Sequence, residues 1–163
     1  MRWTAARRRV TDLFAPSVAR RVDLQMARYR DTHLDDARGW ITVDGEQIAS
    51  FDTRCRWKRF GELQRELGLS GWSFDVKEVI EPLLVAEGLF SAEQYLNAVY
   101  AYPSVAFDDA LSSPDPIIRA LAMLDRRLGK RRLVSLALDA DEQAFVRRLM
   151  EVRRAADGLR ATG

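Results

Sequence analysis

The sequence predicts an α+β fold: a three-stranded antiparallel sheet packed by an N-terminal helix and by the helix that follows it, with a helical C-terminal half. Three observations lead to this prediction. Apolar residues recur at helical spacing near both ends of the chain, and they alternate with polar residues over residues 22–26. Between two β-prone runs stands Asp44-Gly45, a strong hairpin signal because a type I′ turn needs positive φ at both central positions.

The first 68 residues are predicted to form an α-β-β-β-α portion. Apolar residues from Trp3 to Phe14 fall on one face of a first helix, and Pro16 is expected to end that helix. A half-buried strand is expected from Val22 toward Tyr29, and the hairpin supplies the other two strands.

The two-residue turn also fixes a predicted register for the hairpin. Ile41 is expected opposite Ile48 on one face of the sheet, and Trp40 opposite Ala49 on the other. This register would bring the two isoleucines together on the same side of the sheet.

Helices are predicted for the rest of the chain. The helix after the hairpin should end at Gly68, and its apolar stripe consists of Trp57, Phe60, Leu63 and Leu67. A later helix is predicted from Pro114 to Leu128, since proline and acid in a first turn favour a helix start. The helical portion over residues 72–158 is expected to pack on residues 1–68, so that residues 1–163 form a single domain.

The composition is that of an ordinary globular protein. Of the 163 residues, 47% are hydrophobic and 31% are charged, and the net charge is +2. The sequence begins without the apolar segment of a signal peptide, and no apolar run approaches the roughly 20 residues that span a bilayer. The single cysteine, Cys55, excludes an intramolecular disulfide and fits a reducing compartment. We therefore expect a cytoplasmic protein with no membrane contact and no cofactor.

Charge is unevenly distributed along the chain. Residues 1–60 carry 13 basic and 8 acidic side chains, residues 61–113 carry 2 and 9, and residues 114–163 carry 11 and 7. One interpretation is a phosphate-facing surface built from the two basic ends. The other is that the acidic middle packs beside the basic ends and neutralises them within the protein.

The leading functional hypothesis is a non-enzymatic binding protein that contacts an anionic partner, nucleic acid or phosphate, through basic clusters. The order of elements over residues 2–67 is that of a double-stranded-RNA-binding domain, and basic residues begin the second helix. The densest basic run spans residues 126–132. The candidate anion-binding residues are Arg7, Arg8, Arg54, Arg56, Lys58, Arg59, Arg127, Lys130, Arg131 and Arg132.

Asp125 precedes this basic run directly. Within a helix over residues 114–128 it would lie near the C-terminus, where a negative charge is unfavourable, so we expect an arginine to pair with it. One carboxylate cannot balance the whole run. Either the acidic middle or an external anion must supply the remaining negative charge.

Two alternatives belong to other functional classes. One is a protein-interaction or regulatory module whose basic groups are structural, and residues 111–149 are similar in pattern to a HEAT-type helical repeat. The other is an enzyme that uses Cys55, which stands between two arginines near a helix start, or a carboxylate of the acidic middle. The segment His33–Asp36 has metal-compatible residues but only one imidazole, so we predict no metal site and assign no catalytic residue.

Two stretches resemble a family of small bacterial proteins that has no assigned activity. They are Tyr29-Arg30 through Asp44-Gly45, and Leu121 through Leu133, which contains Asp125-Arg126-Arg127-Leu128-Gly129-Lys130. The resemblance implies a free-standing bacterial cytoplasmic protein and transfers no catalytic residue.

Overall fold

The computed structural model describes residues 2–29 and 36–159, and it confirms the α+β fold with a helical C-terminal half. The elements are α1 (Trp3–Thr11), β1 (Val22–Arg28), β2 (Ala37–Val43), β3 (Glu46–Asp52), α2 (Thr53–Glu66), α3 (Phe74–Ala86), α4 (Ala92–Ala101), a 3₁₀ turn (Tyr102–Ser104), α5 (Phe107–Leu111), α6 (Pro116–Leu124), α7 (Lys130–Ser135) and α8 (Ala144–Ala156).

The three strands form an antiparallel sheet in the order β1-β2-β3. Asp44 and Gly45 both have positive φ, 51° and 84°, and Val43 pairs with Glu46, which confirms the two-residue turn. The predicted register beyond the turn is wrong. A bulge inserts one extra residue into β3, so Ile41 lies opposite Ala49 instead of Ile48, and Trp40 lies opposite Ser50 instead of Ala49.

One face of the sheet packs into the main hydrophobic core. Leu24, Ile41 and Phe51 are fully buried there, and α1, α4 and α8 supply the opposing side chains. Tyr95 of α4 lies directly against Gly39 of β2, where an added Cβ would stand 2.1 Å from the Tyr95 ring carbon Cδ1. The close approach of α4 to the sheet therefore requires glycine at this position.

A second, smaller core lies between α2 and α3, which form a helical hairpin. It consists of Phe60, Leu63, Val76, Ile80 and Leu84. Asp52 caps the start of α2 by accepting hydrogen bonds from the backbone N–H groups of Arg54 and Cys55. Because this core is separate from the main one, the hairpin has its own packing and extends from the sheet at the end of β3.

The predicted helix over residues 114–128 ends earlier than expected. Helix α6 stops at Leu124, and Asp125 adopts an extended backbone with φ −69° and ψ 138°. Asp125 forms a β-bridge with Phe14, and the Arg126 N–H donates to the carbonyl of Leu13 at 2.8 Å. Pairing with the segment after α1 thus replaces the last helical turn.

Candidate interaction surfaces

The ten basic candidates are distributed over several elements. Two lie on α1, four in the first half of α2, one in the loop before α7 and three on α7 itself. The structure brings two of them together, because the guanidinium groups of Arg127 and Arg132 lie 5.0 and 5.7 Å from the ring centre of Phe107.

Most of these candidates bind acidic side chains of the same chain. Six of them form close ion pairs. In five the partner lies on another element of the fold or several carboxylates hold the arginine, and in the sixth Asp125 lies two residues before Arg127. The pairs are Arg7 with Asp23, Arg54 with Asp36, Arg56 with Glu81, Arg59 with Glu62, Glu66 and Glu87, Arg127 with Asp125, and Arg132 with Asp108. Each pair neutralises positive charge locally, which weakens the attraction of that group for a phosphate.

Arg56 and Arg59 connect α2 to α3 and to the residues that follow it. Arg56 is buried and donates to the Glu81 carboxylate and to the carbonyl of Leu89. Arg59 donates to both carboxylate oxygens of Glu87 at 2.8 Å. Hydrogen bonds from Arg59 hold the pKa of the Glu87 carboxyl below its ordinary value. These two arginines hold the hairpin together.

The structure confirms the prediction that an arginine pairs with Asp125. The carboxylate is fully buried and accepts from the Tyr102 hydroxyl at 2.7 Å, from the Arg127 backbone N–H at 2.8 Å and from the Arg127 guanidinium at 2.7 Å. Burial alone would raise the pKa of Asp125, but the donors on Arg127 and Tyr102 outweigh it, and the pKa lies below its ordinary value. The acid is therefore held ionised in the interior.

Arg153 of α8 is a buried polar residue that the sequence did not single out. Its guanidinium donates to the carbonyls of Asp125 and Leu128 at 2.9 and 3.0 Å, and to the Asp157 carboxylate at 2.9 Å. Lys130 donates to the Asp157 carbonyl at 3.1 Å. Arg153 thus satisfies the carbonyls that the early end of α6 leaves free, a role visible only once α8 is placed beside that loop.

The α2–α3 hairpin carries most of the exposed apolar surface. Within the described residues, six of the eight large hydrophobic side chains that are exposed lie between positions 57 and 83: Trp57, Leu67, Trp72, Phe74, Val79 and Leu83. We call the three aromatic members, Trp57, Trp72 and Phe74, the aromatic face; their exposed fractions are 47%, 61% and 73%.

Contacts between rings fix part of the aromatic face in place. Trp72 stacks on the buried ring of Phe60 with centroids 5.0 Å apart, and Trp57 lies 4.9 Å from Trp72. The Lys77 ammonium lies 5.6 Å from the centre of the Trp72 ring. Trp57 and Trp72 are therefore ordered by packing and present a preformed surface to the solvent.

The part of the chain that the structure describes offers few other candidate sites for catalysis, metal binding or membrane insertion. Cys55 is an exposed free thiol near the start of α2. No group of three or more His, Cys, Asp or Glu side chains is arranged for a metal within residues 2–29 and 36–159. Of the segment His33–Asp36, only Asp36 falls in those ranges, where it binds Arg54. In the same ranges no helix combines the length and the apolarity that a membrane span needs.

Comparison with known proteins identifies a family. The chain belongs to the SF0329 protein family, whose sequence model matches residues 2–154. This family has no assigned activity, and the match includes both stretches on which the resemblance was based. No curated protein and no solved structure matches the chain significantly.

Proposed function

We propose that this protein is a non-enzymatic interaction module that binds a protein partner through the aromatic face of the α2–α3 hairpin. The observation that carries this proposal is the concentration of exposed apolar side chains on one hairpin, while the rest of the described surface is largely polar. In this view most of the basic groups are structural.

The size of the aromatic face supports a binding role. Phe and Trp side chains bury about 150–250 Å² each when covered, so three rings at these exposures leave roughly 350 Å² of aromatic surface in water. A monomeric protein rarely leaves contiguous apolar patches of more than a few hundred Å² exposed, and patches of this size are often functional. Tryptophan is also enriched among the residues that dominate binding energy.

The ion pairs support the same proposal. Arg54, Arg56 and Arg59 begin α2 as a basic segment, but each is held by carboxylates of this chain. Breaking these pairs to bind phosphate would leave Glu81 or Glu87 without its arginine, which opposes phosphate binding at this helix.

A second candidate is contact with nucleic acid or phosphate through the basic run at residues 126–132. It is favoured by Arg131, which is exposed and forms no ion pair within the described residues, beside Arg127 and Arg132, whose charges are paired with Asp125 and Asp108. The test is binding to mixed RNA and DNA over a salt series, for the wild type and for Lys130→Ala/Arg131→Ala/Arg132→Ala. Each lost phosphate contact lowers the salt slope by roughly 0.7–0.9. An unchanged slope in the folded triple variant eliminates this candidate.

We also propose that the protein is of bacterial origin and that it is located in the cytoplasm.

Site-specific photo-crosslinking in the producing cell tests the leading proposal. A photoreactive phenylalanine analogue replaces Phe74 in one variant and Val134 of α7, which is 49% exposed, in the control. We expect a discrete adduct from position 74 that disappears when Trp57→Ala and Trp72→Ala are added, and no such adduct from position 134. Equal adducts at both positions, or none at position 74, would refute the proposal.

A further inference from the structure

The geometry points to a second copy of this chain as the occupant of the aromatic face. Resting on the interaction role proposed above, we infer that two α2–α3 hairpins pair around a two-fold axis that runs along the hairpin. Three features of the hairpin lead to this assignment: the area of the aromatic face, the charges beside it and the level of those charges along the helices.

The area fits a self-interface of ordinary size. A standard interface buries about 800 Å² on each partner, of which somewhat more than half is apolar. The roughly 350 Å² of aromatic surface estimated from the three exposed rings supplies most of that apolar share. Because a two-fold interface uses the same patch on both subunits, apolar surface on one copy meets apolar surface on the other.

Charges beside the aromatic face are self-complementary. Helical spacing places Arg54, Lys58 and Arg65 on one outer stripe of α2, next to Trp57. On α3, Glu78 follows Phe74 by one turn, and both are exposed. Within the described residues, neither Lys58 nor Glu78 forms an ion pair in its own chain. Helix α2 therefore presents an unpaired cation and α3 an unpaired anion.

The two-fold axis brings these charges together. In an interface whose axis runs parallel to the helices, α2 of one copy lies over α3 of the other at the same level along the hairpin. Helices α2 and α3 run antiparallel and are joined by residues 67–73, so Glu78, four residues into α3, lies near the level of Glu62, four residues before the end of α2. The Arg56–Glu81 and Arg59–Glu87 ion pairs fall on either side of this alignment. Lys58 is then one turn, about 6 Å, from the level of Glu78, an offset that the two long side chains can span. Each dimer then contains the Lys58–Glu78 contact twice.

Charge reversal with rescue tests this arrangement in the full-length protein. Sedimentation velocity over a concentration series should show a monomer–dimer equilibrium for the wild type. Lys58→Glu alone and Glu78→Lys alone should each raise the dimer dissociation constant at least about tenfold, because like charges meet twice. An equimolar mixture of the two variants should form a heterodimer with near wild-type affinity. The matched control is Arg148→Glu, a reversal of an exposed charge on α8 instead of on the hairpin, which should leave dimerisation unchanged.

Two results would overturn the inference: a wild type that stays monomeric at every concentration, or a mixture that dimerises no better than its components. Near-UV circular dichroism confirms that each exposed substitution leaves the fold intact. The crosslinking experiment separates the two proposals. An adduct between position 74 and a different protein, together with a monomeric wild type, refutes the dimer but retains the interaction role. A monomeric wild type without any adduct refutes both.

Discussion

Replacing Asp125 by alanine should destabilise the protein strongly, and the structure allows the magnitude to be estimated. The Tyr102 hydroxyl would remain buried without an acceptor, at a cost of about 1–3 kcal/mol. The Arg127 backbone N–H would lose its side-chain acceptor, a loss comparable to that of a helix cap, about 1 kcal/mol. The ion pair with Arg127, whose side chain is 37% exposed, adds up to about 1 kcal/mol. We expect a total of about 2–5 kcal/mol.

Thermal and urea denaturation measure this loss. For a protein of this size, each kcal/mol lowers the melting temperature by about 2–4 °C, so Asp125→Ala should melt roughly 4–20 °C below the wild type. Asp125→Asn keeps an acceptor for Tyr102 and should lose about half as much. Arg132→Ala removes an exposed pair with Asp108 and should change stability by less than about 1 kcal/mol. If the free energy of unfolding of Asp125→Ala lies within 1 kcal/mol of the wild-type value, the reasoning about this buried network is wrong.

Three further predictions concern other parts of the fold. Gly39→Ala should cost about 3 kcal/mol or more, because the added Cβ would overlap the buried Tyr95 ring, and the cost should fall measurably in a Tyr95→Leu background. Burial raises the pKa of Glu142, but hydrogen bonds from Arg119 outweigh it and lower the pKa, so this pair stabilises the protein above about pH 4.3 and loses its effect as the pH falls further. The difference in urea midpoint between wild type and Glu142→Gln should therefore shrink in acid. Cys55 should react with a thiol reagent no faster than an ordinary exposed cysteine, and a markedly faster reaction would revive the enzymatic alternative.

The hairpin illustrates what local sequence predicts and what it does not. Asp44-Gly45 determines the turn by itself, since the required positive φ values are a property of those two residues. In a regular hairpin, however, Ser50 would face the core and Phe51 would face outward. The bulge shifts the register by one residue, which places Phe51 opposite Gly39 on the buried face. Burial of a phenylalanine instead of a serine explains the shift, and it depends on a core that local pattern does not show.

The end of α6 and the pairing of basic groups were harder to predict for a similar reason. Apolar spacing continues through Leu128, but the extended backbone at Asp125 is set by pairing with Phe14, more than a hundred residues earlier. The sequence predicted correctly that Asp125 needs an arginine, because the electrostatic argument is local. It did not identify Glu81 as the partner of Arg56, since that contact requires α3 to fold back on α2.

The aromatic face includes a residue of the apolar stripe that was predicted correctly for α2, although the stripe does not show which of its residues stay exposed. The periodicity of α2 predicts that Trp57, Phe60, Leu63 and Leu67 share one side, which is the side that α3 covers in part. Helix α3 buries Phe60 and Leu63, whereas Trp57 lies at the margin of that contact and stays half exposed. Periodicity gives the direction of an apolar face but not the width of the element that covers it. The surface proposed for binding is therefore the excess of apolar area over what a two-helix hairpin can bury by itself, and the same excess is what a second hairpin would cover.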